Sequence, residues 1–222
     1  MRRVRSTMAG LSLLAVAGVM AAASPASGEV FTLQPYNITD NYFDSSNPTD
    51  NQGTRNWLYC GHGDYSNNRK LWLVIKFDDL SSLPGNAQSV TLELYRNGGG
   101  ATGTTISAYR ITSDWIENSV TWNTQPTIDS TALDTFNATD DLGVWHSWDI
   151  TSAYNAWKAG TATNYGIELQ TGDNNGETFE YRSSEFSTAD LRPRLVVVVP
   201  EPATLSLLLI GAAGLVRSRR RR

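Results

Sequence analysis

Cysteine and histidine are nearly absent from this sequence, which has one cysteine and two histidines in 222 residues. A disulfide scaffold needs paired cysteines, and a structural zinc site needs about four Cys or His ligands, so both classes are excluded. Basic residues are scarce away from the two ends. Eight of the 18 are terminal arginines, which leaves residues 29–199 with ten basic and 21 acidic side chains, a net charge of about −11. A nucleic-acid-binding protein needs a basic face to neutralise phosphates, so we expect no nucleic-acid partner.

The N-terminal residues 1–28 have the pattern of a secretory signal peptide. Three arginines precede an almost wholly apolar stretch at residues 8–23, and small residues follow. A charged start, a short apolar run and a small-residue end are the three parts of such a signal. We expect cleavage between Ala23 and Gly28, and the alternative is a retained membrane anchor.

The C-terminal residues 200–222 also have three parts. Pro200, Glu201 and Pro202 are followed by an apolar run of 14 residues and then by an end that contains five arginines. As a helix, the run would be about 21 Å long at about 1.5 Å per residue, which is shorter than the hydrocarbon core of about 30 Å. This order resembles the PEP-CTERM sorting signal, which an exosortase of the inner membrane cuts near the Pro-Glu-Pro motif.

The PEP-CTERM resemblance implies three things about this chain. Its partner during export is an exosortase, its C-terminus inserts transiently into the inner membrane, and its destination is the cell envelope surface or the extracellular matrix. A plain single-span tail anchor is the alternative, and the short apolar run argues against it.

The middle of the chain, residues 29–199, is long enough for one well-buried domain and is predicted to be all-β. Runs of β-branched and aromatic residues alternate with Gly, Asn, Asp and Ser clusters that are typical of turns. The predicted strands are at residues 31–33, 57–60, 71–77, 90–95, 104–111, 144–150, 166–170, 178–182 and 195–199. Apolar residues recur at every second position in 71–77 and 90–95, and this period favours an antiparallel sandwich with one polar face.

One short helix is predicted in the middle of the chain. Thr151 is expected to cap it, residues 152–159 to form it and Gly160 to end it, with Trp157 on its inner side. Asp149 is expected to accept hydrogen bonds near its start. The predicted fold is therefore a single jelly-roll-like antiparallel β-sandwich with one short helix.

Several sequence blocks occur in a characteristic order along the middle of the chain. They are Asp40-Asn41-Tyr42, residues 47–53, residues 77–84, residues 112–126, residues 148–151, Asn164-Tyr165-Gly166, Ser183-Ser184-Glu185 and residues 192–195. Together they resemble the DNRLRE-type, disaggregatase-related domains, which overlap with carbohydrate-binding module family 96. The resemblance implies a β-sandwich that binds carbohydrate outside the cell, so an extracellular polysaccharide is the expected partner.

Sugar binding requires exposed aromatic rings under the pyranose faces and polar groups for the hydroxyls. The candidate aromatic residues are Trp57, Tyr59, Trp72 and Tyr95, with Arg69 and Lys76 as polar neighbours. For each ring the alternative is packing in the core or under a loop.

No cofactor is expected to be required, but a structural calcium ion is a hypothesis. Hard cations prefer carboxylate and carbonyl oxygens. The candidate ligands are Asp40, Asp44, Asp50 and Asn51 in the first loop, or Asp173, Asn174 and Asn175 near the end of the domain. The alternative is a set of solvated Asx-turns.

No catalytic constellation is recognisable, so we expect no enzyme activity. A glycosidase needs two carboxylates across a cleft, but Asp114 and Glu117 are expected to accept backbone N–H bonds in an ordered loop whose Trp115 and Trp122 fill the core. The segment from Cys60 to Asp64 contains a thiol, a histidine and a carboxylate without a triad signature.

Two further expectations follow from the sequence. Glu185 is expected to form an ion pair with Arg192 or Arg194.

The predicted function is that of an exported surface or matrix protein that binds carbohydrate without catalysis. The alternative is a structural or interaction protein of the matrix with no glycan preference.

Overall fold

The structure is a computed structural model that describes residues 28–33, 37–63, 68–172 and 177–200. The predicted signal peptide up to residue 27 and the sorting signal from Glu201 onward lie outside the described residues. So do Asp64 and the second set of predicted calcium ligands at residues 173–175.

The described residues form eleven strands and one α-helix, and every strand pairing is antiparallel. The strands are β1 Glu29–Leu33, β2 Ile38–Asp44, β3 Trp57–His62, β4 Lys70–Phe77, β5 Ser89–Gly99, β6 Thr105–Arg110, β7 Asp134–Asn137, β8 Trp145–Asp149, β9 Ile167–Thr171, β10 Thr178–Arg182 and β11 Arg194–Val199. The helix α1 spans Thr151–Lys158. In the part of the chain that is described, no helix is long and apolar enough to cross a membrane.

Strand β5 connects the two layers of the sandwich. Its first half pairs with β11 on one edge and with β8 on the other, and β11 also pairs with β1. Its second half pairs with β10, which continues the second layer through β3, β4, β9, β6 and β7, while β2 pairs with the other edge of β4. The register shifts between Glu180 and Tyr181, and such a bulge bends the strand from one layer to the next. The prediction of an all-β sandwich with one helix is confirmed.

The core lies between the layers, where the predicted alternation is observed. Leu71, Leu73, Ile75 and Phe77 of β4 are buried on the inner face, together with alternate residues of β5. Burying each such side chain contributes about 1.5–3 kcal/mol. A shift by one residue would move the whole apolar set to the other face, so this pattern fixes the register.

The outer face of β4 is also covered, with Val74 buried and Trp72 and Lys76 half-buried, which corrects the prediction of one polar face for this strand. The segment of residues 112–127 covers it, forming what we call the loop-covered core. Its buried residues are Phe43, Val74, Ile111, Trp115 and Val120, with Trp72, Trp122, Ile128 and Tyr165 packed against them. The predicted role of Trp115 and Trp122 as packing residues is therefore confirmed.

Two strands and one helix cap differ from prediction. Strands β2 and β7 were missed, β2 because its Asp and Asn residues are typical of a turn. Ile150, not Thr151, is the N-cap residue, and the Thr151 hydroxyl accepts a hydrogen bond from the backbone of β5 instead. Asp149 accepts the Thr151 N–H at 2.8 Å as expected. Gly160 follows the helix with φ +70°, a left-handed conformation that suits glycine.

Candidate carbohydrate-binding surface

Side chains on the outward face of four adjacent strands form a row of aromatic and polar groups. Strand β5 turns Leu94 and Arg96 inward, so Tyr95 and Asn97 point outward. Trp145 of β8 lies directly opposite Tyr95 in the register, and Glu180 of β10 lies opposite Tyr59 of β3. We call this row the β5 strip and define it as Trp145, Tyr95, Asn97, Glu180 and Tyr59. All five side chains are half-buried.

At one end of the β5 strip, two aromatic rings are held in place by an ion pair. The rings of Tyr95 and Trp145 meet edge to face with centroids 5.4 Å apart. The guanidinium of Arg194 lies 3.8 Å from the Trp145 ring centroid, and its Nε donates to Glu93 Oε2 at 2.6 Å. Stacked and paired in this way, the guanidinium fixes the orientation of the indole.

Glu180 links the other members of the strip. Its Oε1 accepts from Asn97 Nδ2 at 2.5 Å, and its Oε2 accepts from the Tyr59 hydroxyl at 3.3 Å. Burial and the adjacent Glu180 carboxylate raise the pKa of Tyr59, so this phenol remains a neutral hydrogen-bond donor. Arg182 donates to Asn97 Oδ1, and its guanidinium lies 4.0 Å from the Phe186 ring centroid.

Trp57 and Arg69 lie beside this end of the strip. Trp57 is opposite Arg182 in the register and has the Arg55 guanidinium 5.7 Å from its ring centroid. Arg69 binds Asp44 through two hydrogen bonds, from Nε to Oδ1 at 2.9 Å and from Nη2 to Oδ2 at 2.7 Å. The structure therefore places Trp57, Tyr59 and Tyr95 of the predicted residues on the outward side of neighbouring strands, with Arg69 beside them. Trp57 and Tyr59 also pack against the core, where the Tyr59 ring centroid lies 5.2 Å from that of the buried Tyr42.

Trp72 and Lys76 lie elsewhere, against the loop-covered core. The Trp72 ring is 4.7 Å from that of Trp122, and Lys76 is 3.1 Å from Asp78 with its ammonium 5.7 Å from the Trp115 ring. For Trp72 the structure supports the alternative of packing under a loop.

The four predicted calcium ligands of the first segment are not brought together. Both carboxylate oxygens of Asp44 accept from Arg69, and Asp50 is exposed. The Asn51 amide donates to the carbonyls of Glu117 and Val120, while its oxygen accepts from Gly53. Asp40 alone lies beside other carboxylates.

Two of the residues considered for catalysis, Cys60 and Glu117, have structural contacts. Cys60 is buried, its thiol donates to the Leu169 carbonyl at 3.4 Å, and burial raises the pKa of the thiol, which favours its neutral form over the reactive thiolate. Glu117 accepts the backbone N–H of Asp40 at 2.9 Å, as its predicted structural role requires.

The prediction of an ion pair between Glu185 and Arg192 or Arg194 is wrong. Arg194 pairs with Glu93 on the neighbouring strand, and Arg192 Nε donates to the Phe186 carbonyl at 2.7 Å. Strand β11 brings Arg194 directly opposite Glu93, a partner that is far away in the sequence.

Two known families match parts of this chain. Residues 32–199 match carbohydrate-binding module family 96, which covers every described strand except the first part of β1. The chain belongs to carbohydrate-binding module family 96. Residues 198–222 match the PEP-CTERM protein-sorting motif, so the family 96 module belongs to an exported protein that is sorted to the cell surface.

The family 96 module also resembles short parts of much longer proteins. It is 29% identical over 181 residues to the tRNA3(Ser)-specific nuclease WapA of Bacillus spizizenii and 28% identical to the tRNA nuclease WapA of Bacillus subtilis. Each match covers 79% of this chain but only 7% of the relative.

Three members of the β5 strip were not among the residues predicted for the family 96 module. Trp145, Asn97 and Glu180 join it only through antiparallel pairing and side-chain contacts between separate strands. The available signal was the outward alternation of Tyr95 in β5, since it implies that neighbouring strands also carry outward side chains. Which strands those are depends on the topology.

Proposed function

We propose that this chain is an exported, exosortase-sorted protein of the cell surface or matrix whose family 96 module binds an extracellular polysaccharide without catalysis. The observation that carries the proposal is the β5 strip, where two aromatic rings at one end and a third at the other flank an amide and a carboxylate. Family membership supports carbohydrate as the ligand.

The chemistry of the strip suits a sugar chain lying across the strands. Neighbouring strands are about 4.8 Å apart, so four strands offer a platform longer than one pyranose. Rings pack against the apolar faces of sugars, and the Asn97 amide and Tyr59 hydroxyl suit sugar hydroxyls. Because these groups are already oriented by Glu180, ordering them on binding costs little conformational entropy.

The charges along the strip are balanced, which favours a neutral polysaccharide. Arg194 is paired with Glu93 at 2.6 Å, and Arg182 Nη1 lies 3.9 Å from Glu180 Oε1. A uronate would have to compete with these carboxylates for the guanidiniums and would meet the negative charge of the rest of the domain. We therefore expect neutral glycans to bind more tightly than polyuronates.

Affinity electrophoresis of the full chain, purified in non-ionic detergent, tests the proposal. The protein is run in gels that contain a neutral glucan, a neutral mannan or a polyuronate. It should be retarded in at least one of the two neutral gels. Tyr95→Ala and Trp145→Ala should each weaken binding about tenfold or more, because each removes a stacking ring. Tyr109→Ala is the matched control, a half-buried tyrosine on β6 outside the strip. Unchanged retardation of both strip variants, with all proteins folded, would contradict the proposed surface.

A structural or interaction role without glycan preference is the second candidate. Within the described residues, β1 pairs only with β11, and its Val30 is 60% exposed. An open strand edge with an apolar side chain favours pairing with another chain. Self-association in sedimentation equilibrium, together with no retardation in any gel, would support this candidate over the first.

The finer sorting steps are also proposed. The PEP-CTERM motif supports cleavage near Pro200, Glu201 and Pro202 by an exosortase after transient insertion of the C-terminus into the inner membrane. Changing all three residues to alanine should leave a longer, membrane-held precursor in cell fractions. Unchanged size and export would contradict exosortase processing.

The nuclease activity in the names of the Bacillus relatives is not proposed for this chain. The similarity covers 7% of each relative, and the acidic middle of this chain is unsuited to an RNA backbone.

A further inference from the structure

Three carboxylates from separate segments meet at the free edge of β2. Asp40 lies on β2, Glu117 on the segment that covers the outer face of β4, and Glu185 on the segment between β10 and β11. One oxygen from each lies within 4.8 Å of the other two. Two oxygens bound to one calcium ion at about 2.3–2.6 Å cannot be more than about 5.2 Å apart, so this spacing allows one ion to contact all three.

One oxygen of this group is buried without a hydrogen-bond donor. Asp40 is 1% exposed, its Oδ2 accepts the Ser184 N–H at 2.8 Å, and its Oδ1 has no partner among the described residues. The adjacent Asn41 is fully buried, its Nδ2 donates to the Glu117 carbonyl, and its Oδ1 also lacks a donor. A buried oxygen without a donor is costly, and a cation is one of the few groups that satisfy it.

The described residues around the three carboxylates supply little compensating positive charge. Burial, Glu185 and Glu117 raise the pKa of Asp40 well above its usual range, and burial and Glu185 raise that of Glu117. Lys76 lowers the pKa of Glu117, but its ammonium is already paired with Asp78 at 3.1 Å. Close, partly buried carboxylates therefore repel one another unless a proton or a cation joins them.

We propose that Asp40, Glu117 and Glu185 bind a calcium ion that ties β2 to the two covering segments. The ligand set contains only oxygens, which excludes the nitrogen and sulfur chemistry of a zinc site. It comes from three segments with no octahedral template, and calcium accepts such irregular geometry more readily than magnesium does. The site does not depend on the glycan proposal, since it lies at the β2 edge and not on the β5 strip.

Thermal unfolding of the full chain at pH 7.5 tests the site. Calcium at 1 mM, compared with excess EDTA, should raise the melting temperature by roughly 5–10 °C if the calcium concentration is about 100 times Kd. Isothermal titration should give one site per chain. Magnesium at 1 mM should give less than half of that shift. No heat and no shift with calcium up to 10 mM, or an equal shift with magnesium, would overturn the proposal.

Charge-neutralising variants separate a calcium site from a purely structural contact. Glu117→Gln keeps an oxygen that accepts the Asp40 N–H, and Glu185→Gln changes an exposed side chain, so both should fold. Both should lose most of the calcium shift, and Glu117→Gln should melt higher than the wild type in EDTA because one repelling charge is gone. Asp50→Asn, an exposed carboxylate of the same region outside the group, should keep the full shift. A full shift in both Gln variants would contradict the assignment.

Discussion

Asp44 and Asp40 lie four positions apart on the same face of β2, opposite Leu71 and Ile75, and both are almost fully buried at 2% and 1% exposure. Their surroundings are opposite. Asp44 accepts four hydrogen bonds, two from Arg69, one from the Ser46 N–H and one from Asn47 Nδ2. Asp40 accepts the Ser184 N–H and faces two other carboxylates.

The two aspartates show that equal burial does not give equal ionisation. Burial by itself would raise the pKa of Asp44, but hydrogen bonds from Arg69, Asn47 and Ser46 outweigh it, so the pKa lies below its usual value. Burial and nearby carboxylates raise the pKa of Asp40. Donors and neighbouring charges therefore decide which end of β2 holds a stable anion.

Replacing Asp44 tests the anionic end and should give the largest effect. Asp44→Asn replaces one acceptor oxygen with an NH2 group that faces the donors of Arg69 and its neighbours. We expect the free energy of unfolding to fall by about 3–4 kcal/mol, because the buried Asp44 loses two charge-assisted hydrogen bonds of about 1.5–3 kcal/mol each, while the Arg69 side chain, at 37% exposure, regains part of its hydration. Urea unfolding at pH 7 measures it.

The stabilising contribution of Asp44 should depend on pH. Because the folded pKa of Asp44 is lowered, its contribution is present above the unfolded pKa of about 3.9 and is lost as pH falls through the folded value. The difference between wild type and variant should therefore shrink in acid. Arg110→Met, which breaks the more exposed pair with Asp129, is the control and should cost at most about 1 kcal/mol. An equal cost for both would mean that burial of Asp44 has no energetic importance.

Glu168 is a third buried carboxylate, and among the described residues it has neither an arginine partner nor a cluster of acids beside it. It is 1% exposed, its Oε1 accepts from Gln170, and its Oε2 has no partner among the described residues. Burial raises its pKa to about 7 from 4.5. Its stabilising contribution is therefore complete below pH 4.5 and is lost as pH rises through about 7.

Because of Glu168, the free energy of unfolding should fall by about 3 kcal/mol between pH 4.5 and pH 8, since one pKa unit corresponds to about 1.4 kcal/mol. Glu168→Gln keeps the acceptor for Gln170 but cannot ionise, so its unfolding free energy should lack this decline. Urea unfolding in EDTA across this pH range, with Asp50→Asn as the exposed control, measures the difference. Parallel curves for wild type and Glu168→Gln would show that Glu168 does not titrate in this range.

The sequence predicted the sandwich well because the core pattern is local. Alternation in residues 71–77 and 90–95 is visible without knowledge of partners, and it located both strands. Strand β2 was missed since its Thr, Asp and Asn residues are typical of turns, while its burial comes from β4 and two distant segments. Tertiary packing overrides local propensity in such a strand.

The candidate sites were less predictable because they consist of contacts between distant segments. Asp40 was predicted as a calcium ligand, but Glu117 and Glu185 are 77 and 145 positions away and had other expected roles. Tyr95 was predicted for sugar binding, but its neighbour Trp145 depends on the pairing of β5 with β8. A single sequence shows which residue types are present but not which strands become neighbours.

Replacing Asp40 tests the opposite end of β2 and should give the smallest effect, with the opposite sign. Asp40→Asn keeps an oxygen for the Ser184 N–H and offers an NH2 group to Glu117 or Glu185, which ends the repulsion. In EDTA at pH 8 the melting temperature should rise by roughly 2–4 °C, the shift that about 1 kcal/mol produces in a domain of this size.

Acid and calcium should each abolish the gain from Asp40→Asn. Because the folded pKa of Asp40 is raised, the wild type recovers its stability as pH falls below that value, so the two proteins should converge near pH 4. With calcium the wild type should melt higher than the variant, because only the wild type keeps the full set of carboxylate ligands. The same substitution four positions along β2, at Asp44, should destabilise the protein with or without calcium. If both Asn variants were destabilised in EDTA, like charges at Asp40 would not be the feature that distinguishes the two ends of the strand.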